Sequence, residues 1–157
     1  LAALAAMWRQ TRGVGPADSF EHLLGSWATA RTIDDARSGT TTYFVGTTTV
    51  SLRDDTGARR ARLEEVGELR SGSWRGTASR RLDCVGRAGT VELCFLDGLP
   101  FVDLDLRTGR ARAIHLCGDD RYEIEVACLD ADRLEERWTV RGPAKDYEAT
   151  TLLSRRR

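Results

Sequence analysis

The sequence predicts an all-β protein, an antiparallel up-and-down barrel of about eight to ten strands with a short helix near its start. Three observations predict it. Short runs rich in Thr, Val, Ile, Tyr, Phe and Trp recur from Ser26 to Leu153, a composition that suits a pleated surface. Helical signals are confined to one stretch before them. The runs are separated by tight turn signals, and consecutive hairpins favour a barrel that closes on itself and leaves no exposed edge. No fixed-period repeat is visible, which excludes a propeller or solenoid.

The elements follow in order. Residues 1–18 are set apart as an N-terminal extension, in part disordered, and 19–157 as the barrel domain. Gly13, Gly15 and Pro16 mark a loop. Asp18 or Ser19 then caps a helical turn carrying Phe20, Leu23 and Leu24 on one side, and Gly25 ends it. Strands are expected at Ser26–Ile33, Thr40–Leu52, Ala61–Leu69, Trp74–Cys84, Thr90–Leu96, Phe101–Leu106, Ala111–Cys117, Tyr122–Leu129, Arg133–Val140 and Asp146–Leu153. Gly46, inside the second, suggests a bulge or a sharp bend. Turns fall at Asp34–Gly39, Asp54–Gly57, Gly86–Gly89, Asp97-Gly98, Thr108-Gly109, Gly118–Asp120 and Gly142-Pro143.

Period-two alternation assigns the faces. Trp74, Gly76, Ala78, Arg80, Leu82 and Cys84 share one face, so Arg80 lands in the interior. Tyr122, Ile124, Val126 and Cys128 form another inward set, as do Leu134, Glu136, Trp138 and Val140. Polar residues on an otherwise apolar face are the informative exceptions.

Composition narrows the function. The 157 residues make one domain, with 24 basic and 24 acidic side chains, so neither a basic excess nor a basic face points to nucleic acid. The terminal Arg155-Arg156-Arg157 reads as a solvated end. Cys84, Cys94, Cys117 and Cys128 show no C-x-x-C spacing, which argues against structural zinc and for four reduced thiols in a cytoplasmic protein. No run reaches the about 20 apolar residues of a membrane span. The apolar opening, Leu1–Met7, lacks the basic segment of a signal peptide.

Three constellations carry the chemistry. Gly25-Ser26-Trp27, after a helical turn and before the strands, resembles the G-x-W signature of lipocalins and their calycin relatives. That resemblance implies a helix plugging one barrel end, a Trp closing the floor, and a late basic residue packed on it, for which Arg155 is the candidate. In His115–Tyr122, His115 and Cys117 share a face and the Gly118–Asp120 turn returns the chain at Tyr122, so His, Cys, Asp and Tyr can meet at one barrel mouth. His115 there is an acid or base near neutral pH, an axial ligand for haem, or a histidine bonded to Asp120 or Tyr122 that only fixes the turn. In Val140–Tyr147, Gly142-Pro143 makes a turn, with Lys145 and Asp146 read as a local ion pair at the rim.

The segments LLGSW (Leu23–Trp27), FLDGLPFVDLDL (Phe95–Leu106), HLCGDDRY (His115–Tyr122) and WTVRGPAKDY (Trp138–Tyr147) together resemble the domain-of-unknown-function family 6314, common in actinobacteria and proteobacteria. The resemblance runs from about Leu23 to the C-terminus. It implies a calycin-like barrel and supplies no substrate.

The expected function is small-molecule binding, with Arg80, His115, Cys117, Tyr122 and Trp138 lining the pocket and a carboxylated ligand meeting Arg80. The alternative is an isomerase, cyclase or hydrolase in the same pocket, with His115 as acid or base, Asp120 orienting it, and Tyr122 or Arg80 stabilising negative charge. No cofactor is required, haem being the one considered. A small molecule is the expected partner, with no nucleic acid and no membrane, and homodimerisation is left open.

Overall fold

The computed structural model describes residues 15–53 and 58–157. The expectations for Leu1–Met7 and for the Asp54–Gly57 turn lie outside these. Helix α1 (Ser19–Leu23) is followed by ten strands: β1 (Gly25–Asp35), β2 (Thr40–Leu52), β3 (Arg60–Ser71), β4 (Trp74–Gly86), β5 (Val91–Cys94), β6 (Pro100–Leu104), β7 (Arg110–Cys117), β8 (Asp120–Asp130), β9 (Arg133–Arg141) and β10 (Asp146–Arg155). They form one antiparallel sheet in the order β6-β5-β4-β3-β2-β1-β10-β9-β8-β7. First and last strands pair, so the order is that of an up-and-down barrel. It is nearly closed: β6 and β7, the two ends of the sheet, pack side by side, but no ladder joins them among the described residues.

Helix α1 plugs one end. Asp18 caps it, its carboxylate accepting from Glu21 N at 3.0 Å, and is itself held by Arg59, whose Nη2 donates at 2.7 Å. The buried Ser19 ties the plug to the barrel, donating its N–H to Gly89 O and accepting from Leu106 N. Gly25, at φ 118°, turns the chain from helix into β1 where a side chain would be strained. Trp27, 1% exposed, lies under the plug and donates its indole N–H to Leu23 O. Around it Phe20, Val50, Leu63, Leu93, Leu104, Val126 and Leu134 fill the barrel.

Of the two features expected at Gly46, a bulge or a sharp bend, the bulge is absent. The β1–β2 and β2–β3 registers run through it without a shift, and Gly46 sits opposite Gly67. A Cβ at Gly46 would lie 2.7 Å from Phe44 Cζ and 2.8 Å from Gly67 Cα. The glycine pair instead lets two strands pass under the Phe44 ring. Register shifts occur elsewhere, at Leu93/Cys94 and Cys128/Asp130. No helix among the described residues is long and apolar enough to cross a membrane.

Candidate functional site

A polar layer crosses the middle of the barrel. Arg31 on β1 points inward by the same alternation that buries Trp27 and Thr29. Its Nη1 and Nη2 grip the two oxygens of Glu65 at 2.7 and 2.9 Å, and its Nε donates to Thr151 Oγ1 at 2.7 Å. Thr48 donates to Glu65 Oε2 at 3.2 Å. Burial alone would raise the Glu65 pKa, but the Arg31 hydrogen bonds and the charges of Arg80 and Arg31 outweigh it and hold the carboxyl below its ordinary value. Arg80 on β4 touches the same carboxylate by one contact, Nη2 to Oε2 at 3.5 Å. Beneath it, between this layer and the apolar floor, lies a small cavity of about 50 Å³ that also meets Glu136.

Above Arg80, at the end opposite α1, a cavity of about 270 Å³ opens. It is lined by Arg80, Arg81, Leu82, Phe95, Phe101, His115, Cys117, Tyr122 and Trp138. Its walls are aromatic. Phe101 lies 5.0 Å from Phe95, 5.0 Å from His115 and 5.4 Å from Trp138, centre to centre. Tyr122 stands edge-on to His115 at 6.0 Å and to Trp138 at 6.3 Å. The Arg80 guanidinium lies over the Trp138 ring at 5.2 Å, a cation–π contact that fixes it as the floor. The cavity sits at the seam where β6 and β7 meet without a ladder, so side chains rather than backbone bonds close the barrel there.

All five residues expected to bind ligand, Arg80, His115, Cys117, Tyr122 and Trp138, stand around this one cavity. Asp120 does not join them as the partner of His115. Its carboxylate is 2.9 Å from Lys145 Nζ, and His115 makes ring contacts with Phe95, Phe101 and Tyr122 instead. Nor does Lys145 pair with Asp146, which bonds Arg141 at 2.9 Å. The Gly142-Pro143 turn carries Lys145 back over the mouth, and Gly142 leaves room for the Asp120 carboxylate, which a Cβ there would strike. Lys145 Nζ donates to Tyr122 Oη at 2.6 Å. These bonds, that to Tyr122 first and that to Asp120 second, push the Lys145 pKa well above the usual lysine range.

Sequence reasoning missed Phe95, Arg31 and Glu65, and set Lys145 at the rim with Asp146 rather than with Asp120 and Tyr122. The Asp97-Gly98 turn sets Phe95 and Phe101 on its two arms so that both line the cavity. Arg31 and Glu65 carry the signal that singled out Arg80, a charge on an inward strand face, and it went unread on β1 and β3.

The sequence of residues 23–155 matches the model of a family of unknown function, DUF6314. The chain belongs to that family. No curated protein matches it in sequence. Among solved structures, this DUF6314 member is similar to the S-type phycobiliprotein lyase CPES of Guillardia theta. The identity is 12%, the TM-score 0.61, and the match covers 88% of this chain and 90% of that one. It is also similar to a protein of unknown function from the DUF3598 family of Nostoc punctiforme PCC 73102, at 13% identity and a TM-score of 0.54. That match covers 88% of this chain and 49% of the other, so the DUF6314 chain spans about half of it. At such identities the likeness establishes the barrel fold alone.

Proposed function

We propose that this DUF6314 barrel binds one small, partly apolar molecule in the cavity walled by Phe101, Tyr122 and Trp138 and floored by Arg80. The observation that carries the reading is the contrast between the two halves of the barrel. Below Arg80 the interior is packed to a residue of about 50 Å³, whereas above it about 270 Å³ is walled by five rings and a guanidinium. Concave, mostly apolar space with a few converging polar groups is the usual form of a ligand site. A larger groove of about 610 Å³ runs over β8, β9 and β10, but charged side chains such as Glu125, Arg137 and Glu148 line it. The test is native mass spectrometry of freshly purified protein. A bound mass that disappears in Trp138→Ala and Tyr122→Ala supports the reading, and a wild-type chain that carries nothing and binds nothing from a cell extract overturns it.

A second reading, acid–base chemistry in the same cavity, has one observation in its favour. With Lys145 donating to its oxygen, Tyr122 keeps its own hydrogen to give to a ligand atom in the cavity. Tyr122 is then the proton donor, His115 the facing acid or base, and Asp120 the group that holds Lys145. Tyr122→Phe is expected to retain bound compound and lose turnover, with the compound's mass before and after incubation as the readout.

A further inference from the structure

We propose that the cavity is built for a planar organic acid, its ring against Trp138 and Phe101 and its carboxylate on Arg80. The proposal rests on the binding reading above and adds the class of ligand. It starts from the unequal state of two arginines on one carboxylate. Arg31 spends Nε, Nη1 and Nη2 in bonds of 2.7, 2.7 and 2.9 Å and satisfies Glu65 without help. Arg80 makes one contact with Glu65, at 3.5 Å, and its Nε is buried with no partner. A guanidinium has five N–H donors in a fixed fork, so most of the capacity of Arg80 is unspent. Leaving it so inside a barrel is unfavourable unless something else accepts those bonds.

The cavity's charge points the same way. Arg80 and Arg81 are the charged groups that line it, and no carboxylate does. Glu136, whose Oε1 is also buried and unpartnered, lies in the smaller cavity below the guanidinium. Inside the cavity an anion therefore meets the guanidinium fork of Arg80, 29% exposed, and no lining carboxylate. A carboxylate matches that fork with two parallel hydrogen bonds. The ring requirement comes from the walls: Trp138 already stacks on Arg80 at 5.2 Å and faces Phe101 at 5.4 Å, which favours a flat, conjugated body. The volume suits about a dozen non-hydrogen atoms.

The experiment is calorimetric titration of the full chain with 1-naphthoate, neutral 1-naphthamide and 1-naphthylmethylammonium. The expected result is that naphthoate binds about tenfold tighter than the amide, with the ammonium weakest. Arg80→Gln is expected to bring naphthoate down to the amide's affinity and Arg80→Lys to keep part of the preference, whereas Trp138→Leu weakens acid and amide alike. Equal binding of acid and amide, or preference for the ammonium, overturns the acid and leaves the binding reading intact. Binding of none of the three overturns both. Should Arg80→Gln fail to fold, the comparison of the three probes on the wild-type chain decides alone.

Discussion

The guanidinium of Arg155 lies over the ring of Trp27 at 4.1 Å, joining the last strand to the first. Its Nη1 donates to Leu24 O and its Nη2 to His22 O, both at 2.9 Å. One side chain thus covers the barrel floor, satisfies two carbonyls at the end of α1, and reinforces the β1–β10 pairing that joins the two halves of the sheet. Arg155→Ala is expected to cost about 2 kcal/mol, from one cation–π contact and two charge-assisted bonds. Arg155→Lys should recover less than half, because an ammonium cannot reach both carbonyls from above the ring. Urea unfolding of the three proteins checks this, and equal midpoints would remove the stabilising role.

Glu65 ties stability to acid. Its carboxyl releases a proton more readily in the fold than in the unfolded chain, where the ordinary value is 4.5. Below that value the unfolded chain binds more protons, so stability falls as pH falls. The contribution is full above about pH 4.5 and is lost as pH drops through the lower folded value. Glu65→Gln should therefore destabilise the protein by about 3 kcal/mol at neutral pH, by stranding the Arg31 charge, and flatten the acid limb. Thermal melts of wild type and variant from pH 7 to pH 3 read both effects. The double variant Arg31→Met, Glu65→Leu should lose less than the two singles added together, since it strands no charge of the pair.

The four thiols should react unequally. Cys84, Cys94 and Cys128 are buried and Cys117 is exposed. Burial pushes the Cys84 thiol up to about 12 and Cys94 up to about 11, and thiols held protonated are poor nucleophiles. N-ethylmaleimide should add once to the folded chain, at Cys117, and four times in guanidinium. Because Cys117 lines the mouth, the single adduct should also block ligand. Peptide mapping and a binding assay on the labelled protein test the two halves separately.

Gly67→Ala should destabilise the barrel by about 2 kcal/mol through overpacking. A Cβ there would lie 2.5 Å from Phe44 Cζ and 2.7 Å from Gly46 Cα, and the backbone cannot yield as a flexible side chain would. Gly72→Ala, at a turn glycine with φ 58° and open space around it, serves as the comparison: it strains φ and crowds nothing. A larger loss at Gly67 in a denaturant titration is the expected order.

Much of the barrel was legible because its signals are local. Turn residues such as Gly39, Gly98 and Gly109 take positive φ, and strand faces alternate with a fixed period. Arg80, Tyr122 and Trp138 could thus be set inward from the alternation, whereas Trp27 and its match to Arg155 came from the resemblance to the G-x-W signature. The site was legible only in part. Its lining follows from alternation, but its pairings do not, since Lys145 chooses among Asp120, Asp146 and Tyr122 according to how the Gly142-Pro143 turn folds over the mouth. The choice between a bulge and a bend at Gly46 was open for a related reason: a lone glycine does not announce that a second glycine, Gly67, stands across from it.

Fold class, the succession of ten strands and most inward faces can be read from the chain, because hydrophobic period and turn chemistry act between near neighbours. Which charge meets which is set by the folded barrel. It gave Glu65 to Arg31 and left Arg80 with donors to spare, because ion pairing across a barrel depends on register and side-chain reach between strands far apart in the chain.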